Sequence, residues 1–143
     1  MARNYKQGRF IPTNPKKYMG DPTKIIYRSS WEKRFFLKLD ESPNVAGWAS
    51  EEVVIPYYSP IDNKMHRYFV DVLVVSKDKV VTLIEIKPWA QTQPPKTAGR
   101  KKSTVINEVM TWAVNQAKWD AARDYCAKKG WTFKIVTERD INF

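Results

Sequence analysis

Three charged residues interrupt runs that otherwise read as apolar β-strand. Asp71 breaks YFV-D-VLVV, and Glu85 and Lys87 break VVTLI-E-I-K. A lone carboxylate in such a run is expensive to bury, so it needs a partner or a cation. Strand side chains alternate, which puts Glu85 and Lys87 on one face, roughly 7 Å apart. If the SKDK turn sets a hairpin with 71 opposite 85, Asp71 joins that face; a slip of one residue sends it to the other. Two carboxylates this close repel unless a cation lies between them. Mg²⁺ suits the pair, because it takes hard oxygen ligands from one or two carboxylates and fills the rest with water and phosphate. The backbone carbonyl of Ile86 offers a further oxygen. Lys87 is placed to orient a water or neutralise a phosphate. Together these are the parts for phosphodiester hydrolysis. The bland alternative is a Glu85–Lys87 salt bridge with Asp71 solvated near a turn, since a D…ExK pattern alone is common.

Composition removes most other chemistries. Cys126 is the one cysteine and His66 the one histidine, too few for a disulfide or a structural zinc site. His66 lies in a strand-like run without a nucleophile elbow, and reads as a neutral packing residue rather than a base. Neither phosphate-loop fingerprint is present. No apolar run approaches the ~20 residues of a membrane span. The start, MARNYKQGRF, has no apolar stretch of a secretory signal. The 143 residues carry 25 Lys and Arg against 15 Asp and Glu, a net charge of +10 that favours an anionic partner, nucleic acid first.

The elements that must position these residues follow in order. Residues 1–27 are basic, rich in Pro and Tyr and aperiodic, and read as an extended arm ahead of a single domain, 28–143. RSSWEKRFFLKLDES is a helix opened by a Ser29/Glu32 capping box, with Trp31, Phe35 and Leu39 as its apolar stripe. VAGWAS reads as a connector. EEVVIPYY (51–58), HRYFVDVLVV (66–75) and VVTLIEIK (80–87) read as an antiparallel meander, the third strand covered on both faces. After the loop 88–102, a long helix runs from about Ser103 to Lys129. Its stripe is Val105, Val109, Trp112, Ala113 and Gln116, widened by Ala117, Ala121 and Cys126. Gly130 closes it. WTFKIVTE (131–138) is a last strand, expected to pair parallel with a meander strand. The class is α/β, an αβββαβ core with a mixed central sheet flanked by helices.

With Asp71 and Glu85-x-Lys87 on the second and third strands of such a core, the chain resembles the PD-(D/E)xK nuclease superfamily and its restriction-endonuclease-like fold. YRSSWE, EIKP, NQAKWDAARDYCAKKG and FKIVTE resemble more closely the head completion nucleases of tailed bacteriophages. They also resemble the amino-terminal endonuclease domain of the transposase subunit that cuts 5′ transposon ends. Val70 stands where the superfamily usually has Pro. The resemblance implies Mg²⁺-dependent DNA cleavage, with Mn²⁺ able to substitute, Asp71 and Glu85 as metal ligands and Lys87 as the catalytic lysine. It also implies that Glu32 completes the site. A polar residue of the second long helix is expected near the metal, and Gln116 fits that role better than Lys118, which reads as solvated.

Around the site, Arg28, Lys16 and Lys17 on one side and Lys96, Arg100, Lys101 and Lys102 on the other are expected to grip DNA phosphates. The arm adds Arg3, Lys6, Arg9 and Lys24. Tyr5, Tyr18 and Trp89 are expected to stack on bases if the substrate is single-stranded or frayed. The function implied is DNA-end processing as phage packaging finishes, with capsid or portal components as partners and no membrane. The setting is the host cytoplasm during assembly or the virion head. Two rivals stand beside it: a virion protein that binds DNA ends with little catalysis, and a transposon-type endonuclease subunit.

Overall fold

The computed structural model describes residues 7–140; Arg3, Tyr5 and Lys6 lie outside the described residues. Among the described residues two α-helices, α1 (Ser30–Glu41) and α2 (Lys102–Lys129), accompany eight strands. Four of these, β3 (Val45–Ser50), β6 (Val72–Ser76), β7 (Val81–Ile86) and β8 (Thr132–Val136), form the main sheet in the order β3-β6-β7-β8. β6 runs antiparallel to both β3 and β7, whereas β8 is parallel to β7 as expected. The sheet is therefore mixed. Residues 83–86 of β7 are all buried, so both its faces are covered at that end.

The meander differs from the sequence reading. β4 (Val54–Tyr58) and β5 (Met65–Phe69) pair only with each other, as a separate hairpin. The edge place in the main sheet goes to β3, the VAGWAS segment read as a connector. The reason is a bulge. Ser50 pairs with Val72 and Val54 with Phe69, so residues 51–53 stand opposite 70–71, three against two. Glu51 takes up the extra length at φ +54°, and its N–H donates to the Asp71 carbonyl at 3.1 Å. Such an insertion bends and twists both strands and re-aims their side chains. HRYFVDVLVV is thus one run folded into two strands, with the break at Val70–Asp71.

The segment read as an extended arm is packed over residues 8–27. β1 (Gly8–Arg9) pairs with β2 (Ile26–Tyr27), and the isolated bridge Tyr18–Trp48 lays this segment along the free edge of β3. Phe10 and Phe36 lie within 5.8 Å of Trp48, and Tyr18 within 4.8 Å, between ring centres. The segment's aromatic content outweighs its charge: Phe10, Tyr18 and Ile25 are core residues, and the segment shields an edge that would otherwise template pairing. Tyr18 is therefore not available for base stacking; its hydroxyl also accepts the Ser50 N–H.

α1 begins as its capping box dictates. The Glu32 N–H donates to Ser29 Oγ at 3.2 Å, and Glu32 Oε1 reaches back to the Arg28 N–H at 3.4 Å. Phe36 and Leu39 carry its buried face, with Trp31 and Phe35 at the flank. α2 ends at Gly130, φ +70°, where the Trp131 N–H bonds the Cys126 carbonyl at 2.8 Å. Its buried stripe is Asn115, Trp119, Ala122 and Cys126. The expected stripe through Val109 and Gln116 is thus turned by about 100°, one residue of helix, and Val109 is exposed. Trp119 outcompetes the smaller aliphatics for the covered side. No helix among the described residues is long and apolar enough to cross a membrane.

Candidate active site

The site forms where β6 parts from β7. Val72 pairs with Ile84, which carries the register on to Asp71 beside Glu85, as the hairpin reading required. Asp71 Oδ2 accepts the Ile86 N–H at 2.7 Å, just beyond the last paired residues. Glu85 is 6% exposed. Its Oε2 lies 3.4 Å from Lys87 Nζ, and its Oε1 accepts the Tyr68 hydroxyl at 2.6 Å. The salt bridge of the bland alternative is therefore present, but it sits in a buried cluster with a second carboxylate rather than on a solvated face.

Burial and the close approach of two carboxylates dominate the electrostatics of this cluster. Burial raises the Asp71 carboxyl well above its usual range, and the charge of Glu85 raises it further. The Ile86 N–H and Lys87 pull the other way; Glu32 adds to the repulsion. Glu32 is thus part of the same field, delivered by the first turn of α1. Tyr68 is pushed far up by burial and by Glu85, so its hydroxyl stays a donor. Among the described residues, no three His, Cys, Asp or Glu side chains are placed to make an all-protein metal cage. The donor set, two carboxylates and neighbouring carbonyls, fits an ion that keeps several waters, as Mg²⁺ does.

Arg28 sits at the rim. Its guanidinium makes a paired contact with Glu51 at 3.0 and 3.3 Å, and the charges of Glu51, Glu32 and Asp71 all strengthen its hold on its proton. The bulge that re-aims Asp71 thus also supplies Arg28 with its partner.

The remaining expected residues are dispersed. Gln116 lies half-buried at the flank of the α2 stripe, next to buried Asn115. Lys118, read as solvated, is half-buried with Nζ 5.8 Å from the Tyr57 ring centre and 5.7 Å from that of Tyr68. Lys17 caps the far end of α1, donating to the Asp40 and Ser42 carbonyls at 2.9 and 2.8 Å. Lys16 is exposed beside it, and Lys96, Lys101 and Lys102 are exposed on the loop before α2 and its first turn. Arg100 is held by Glu108 at 2.6 and 2.8 Å. Trp89 is stacked by Arg139 at 3.4 Å. His66 is exposed and paired with Asp62 at 2.7 Å, rather than packed inside.

Tyr68 is the residue sequence reasoning missed; Lys118, weighed there and read as solvated, packs over its ring instead. In a straight strand Tyr68 and Asp71 would point to opposite faces; the break between them brings both to Glu85. The signal in the sequence was Glu51-Glu52 ahead of a β-run, a poor strand start that marks the bulge.

A mixed sheet with paired acids and a lysine at the end of its central strand is the architecture of a restriction-endonuclease-like nuclease. Residues 42–138 match the family described as TnsA-like endonuclease N terminal, and the chain belongs to that family. It is 44% identical over 137 residues to the head completion nuclease of Enterobacteria phage T4, covering 92% of this chain and 90% of that protein.

Proposed function

We propose that this nuclease is a Mg²⁺-dependent deoxyribonuclease that processes DNA ends as phage heads are completed. The observation that carries the chemistry is the buried Asp71–Glu85 pair beside Lys87. Asp71, Glu85 and the Ile86 carbonyl would hold the metal, with Glu32 adding charge or a water-bridged contact. When bound, the ion lowers the pKa of a coordinated water and offsets charge on the phosphate. Lys87 Nζ orients the attacking water or neutralises a phosphate oxygen. Arg28, Lys101 and Lys102 position the strand through its phosphates. The name of the phage T4 relative, a head completion nuclease, supports the biological setting; on this reading capsid or portal components are partners, and the protein acts in the host cytoplasm or the virion head.

The test is cleavage of supercoiled plasmid and of linear duplex, with Mg²⁺, Mn²⁺ or EDTA, beside Glu85→Ala. Metal-dependent cutting lost in the variant is expected. Nicking of the plasmid against shortening of the linear DNA separates internal cleavage from end trimming. DNA binding by a folded wild type that never cuts would instead favour a virion end-binding protein.

A further inference from the structure

Tyr68 has no part in the expected set of acids and lysine, yet its hydroxyl makes the short 2.6 Å bond to Glu85 Oε1. It comes from the β4–β5 hairpin, not from a strand adjoining β7, and its ring is buried between that hairpin and α2, where Lys118 lies over it. Three elements thus converge on one carboxylate: β7 supplies it, the hairpin supplies a hydroxyl, and α2 supplies a cation behind the ring.

We propose that Tyr68 is a positioning residue for Glu85, fixing the plane of that carboxylate for a divalent cation, and that Lys118 reinforces it from α2. The proposal rests on Glu85 being a metal ligand. A glutamate at a strand end has three side-chain torsions to hold. Lys87 alone leaves Oε1 unheld, and an ammonium at 3.4 Å competes with an incoming cation for Oε2. A phenol donates without cancelling the charge that attracts the ion. It also holds Oε1, so the other oxygen keeps one orientation. A cation over the ring face draws electron density from it and makes the hydroxyl a stronger donor. Loss of an outer partner of this kind typically weakens metal affinity or activity by about 10- to 100-fold.

The experiment is calorimetric titration of Mn²⁺ into the intact chain without DNA, for wild type, Glu85→Gln, Tyr68→Phe and Lys118→Met. Tyr68→Phe keeps the ring and removes only the hydroxyl. It is expected to weaken Mn²⁺ binding by about 10- to 100-fold, and Lys118→Met by about 2- to 5-fold. The Mg²⁺ concentration for half-maximal cleavage rises in step, and saturating Mg²⁺ restores most of the rate; a change confined to packing does not respond to metal. Tyr68→Phe binding within about twofold of wild type, while Glu85→Gln has lost it, overturns the positioning role and leaves the metal site standing. Wild-type binding in Glu85→Gln overturns the metal reading itself, and this proposal with it. Thermal unfolding in EDTA checks that each variant folds. If Tyr68→Phe does not, Lys118→Met decides alone, and unchanged affinity overturns the proposal.

Discussion

Asp71 Oδ2 accepts the backbone N–H of Ile86, the residue between Glu85 and Lys87. One oxygen of the acid is thereby tied to the strand that carries its partners, and the other is left for a ligand. This contact gives Asp71 two duties, ending the β6–β7 ladder and facing Glu85, and the two are separable by substitution.

Asp71→Asn keeps an acceptor for the Ile86 N–H and removes the charge. Cleavage is expected to fall below detection. Stability moves the opposite way. The Asp71 carboxyl titrates higher in the folded chain than in the unfolded one. Its contribution is therefore fully present below the unfolded value of about 3.9 and is lost as pH rises through the raised folded value. Above that window, in EDTA, Asp71→Asn should be more stable than wild type by about 1–2 kcal/mol. Thermal melts at acid and neutral pH check this; the gap between the two proteins should close toward pH ~4. A destabilised Asp71→Asn at neutral pH would mean that the charge is already compensated without metal.

Lys87→Met tests the role of the ammonium. Nζ is the counter-charge of Glu85 at 3.4 Å, with the lysine side chain 23% exposed. The rate is expected to fall by about 10²–10³ at saturating DNA. DNA affinity should change little, because one phosphate contact among many is lost at most. Single-turnover cleavage and a separate binding titration with Ca²⁺ in place of Mg²⁺ distinguish the two.

The juxtaposition of Asp71, Glu85 and Lys87 was more legible in the sequence than the scaffold. A charge inside a β-branched run is a local anomaly, so Asp71, Glu85 and Lys87 stood out, and the short SKDK turn fixed their register. The Ser29/Glu32 box and Gly130 likewise act within a few residues of themselves. The bulge does not. It depends on Glu51 adopting φ +54° so that three residues match two on a strand some twenty positions away, and no periodicity announces that. The split of the meander, the rise of VAGWAS to a strand and the arrival of Tyr68 at Glu85 all follow from it. The N-terminal segment was misleading for another reason. Its lysines and prolines suggest a solvated tail, whereas Phe10, Tyr18 and Ile25, spread over sixteen positions, are the part that the fold uses.

Glu51→Gly isolates the bulge. Glycine adopts positive φ at no steric cost, and what is lost is an ion pair whose arginine side chain is 55% exposed, the kind worth at most about 1 kcal/mol. Relief of a left-handed non-glycine residue is worth about 1–3 kcal/mol at the upper end. Glycine's larger loss of chain entropy offsets a further ~0.5–1 kcal/mol, so a net gain of ~0.5 kcal/mol in denaturant unfolding is expected. Cleavage should persist, since the Asp71 carbonyl still receives a backbone N–H at residue 51. Loss of cleavage with stability intact would mean that Glu51, through Arg28, serves the substrate rather than the turn.

The two basic flanks should separate in their response to salt. Lys17 is bonded to the Asp40 and Ser42 carbonyls at the C-terminal end of α1, where a cation also favours the helix dipole. Nine residues of helix, roughly 14 Å of rise, separate Glu32 from the last helical residue, Glu41. Lys17→Met is therefore expected to cost about 1–2 kcal/mol of stability and to leave the salt dependence of DNA binding unchanged. Lys101 and Lys102 behave in the opposite way. Both are exposed at the start of α2, and Lys101 makes no side-chain cap. On the proposed reading, the N–H groups of that first turn and the two ammonium groups are offered to phosphate. Replacing both by Ala should reduce the slope of log K against log salt by about 2 with little change in melting temperature. Fluorescence anisotropy of a labelled duplex across a salt series measures the slope. An unchanged slope in the double variant, or a reduced one in Lys17→Met, would move the DNA track from the α2 side of the molecule to the α1 side.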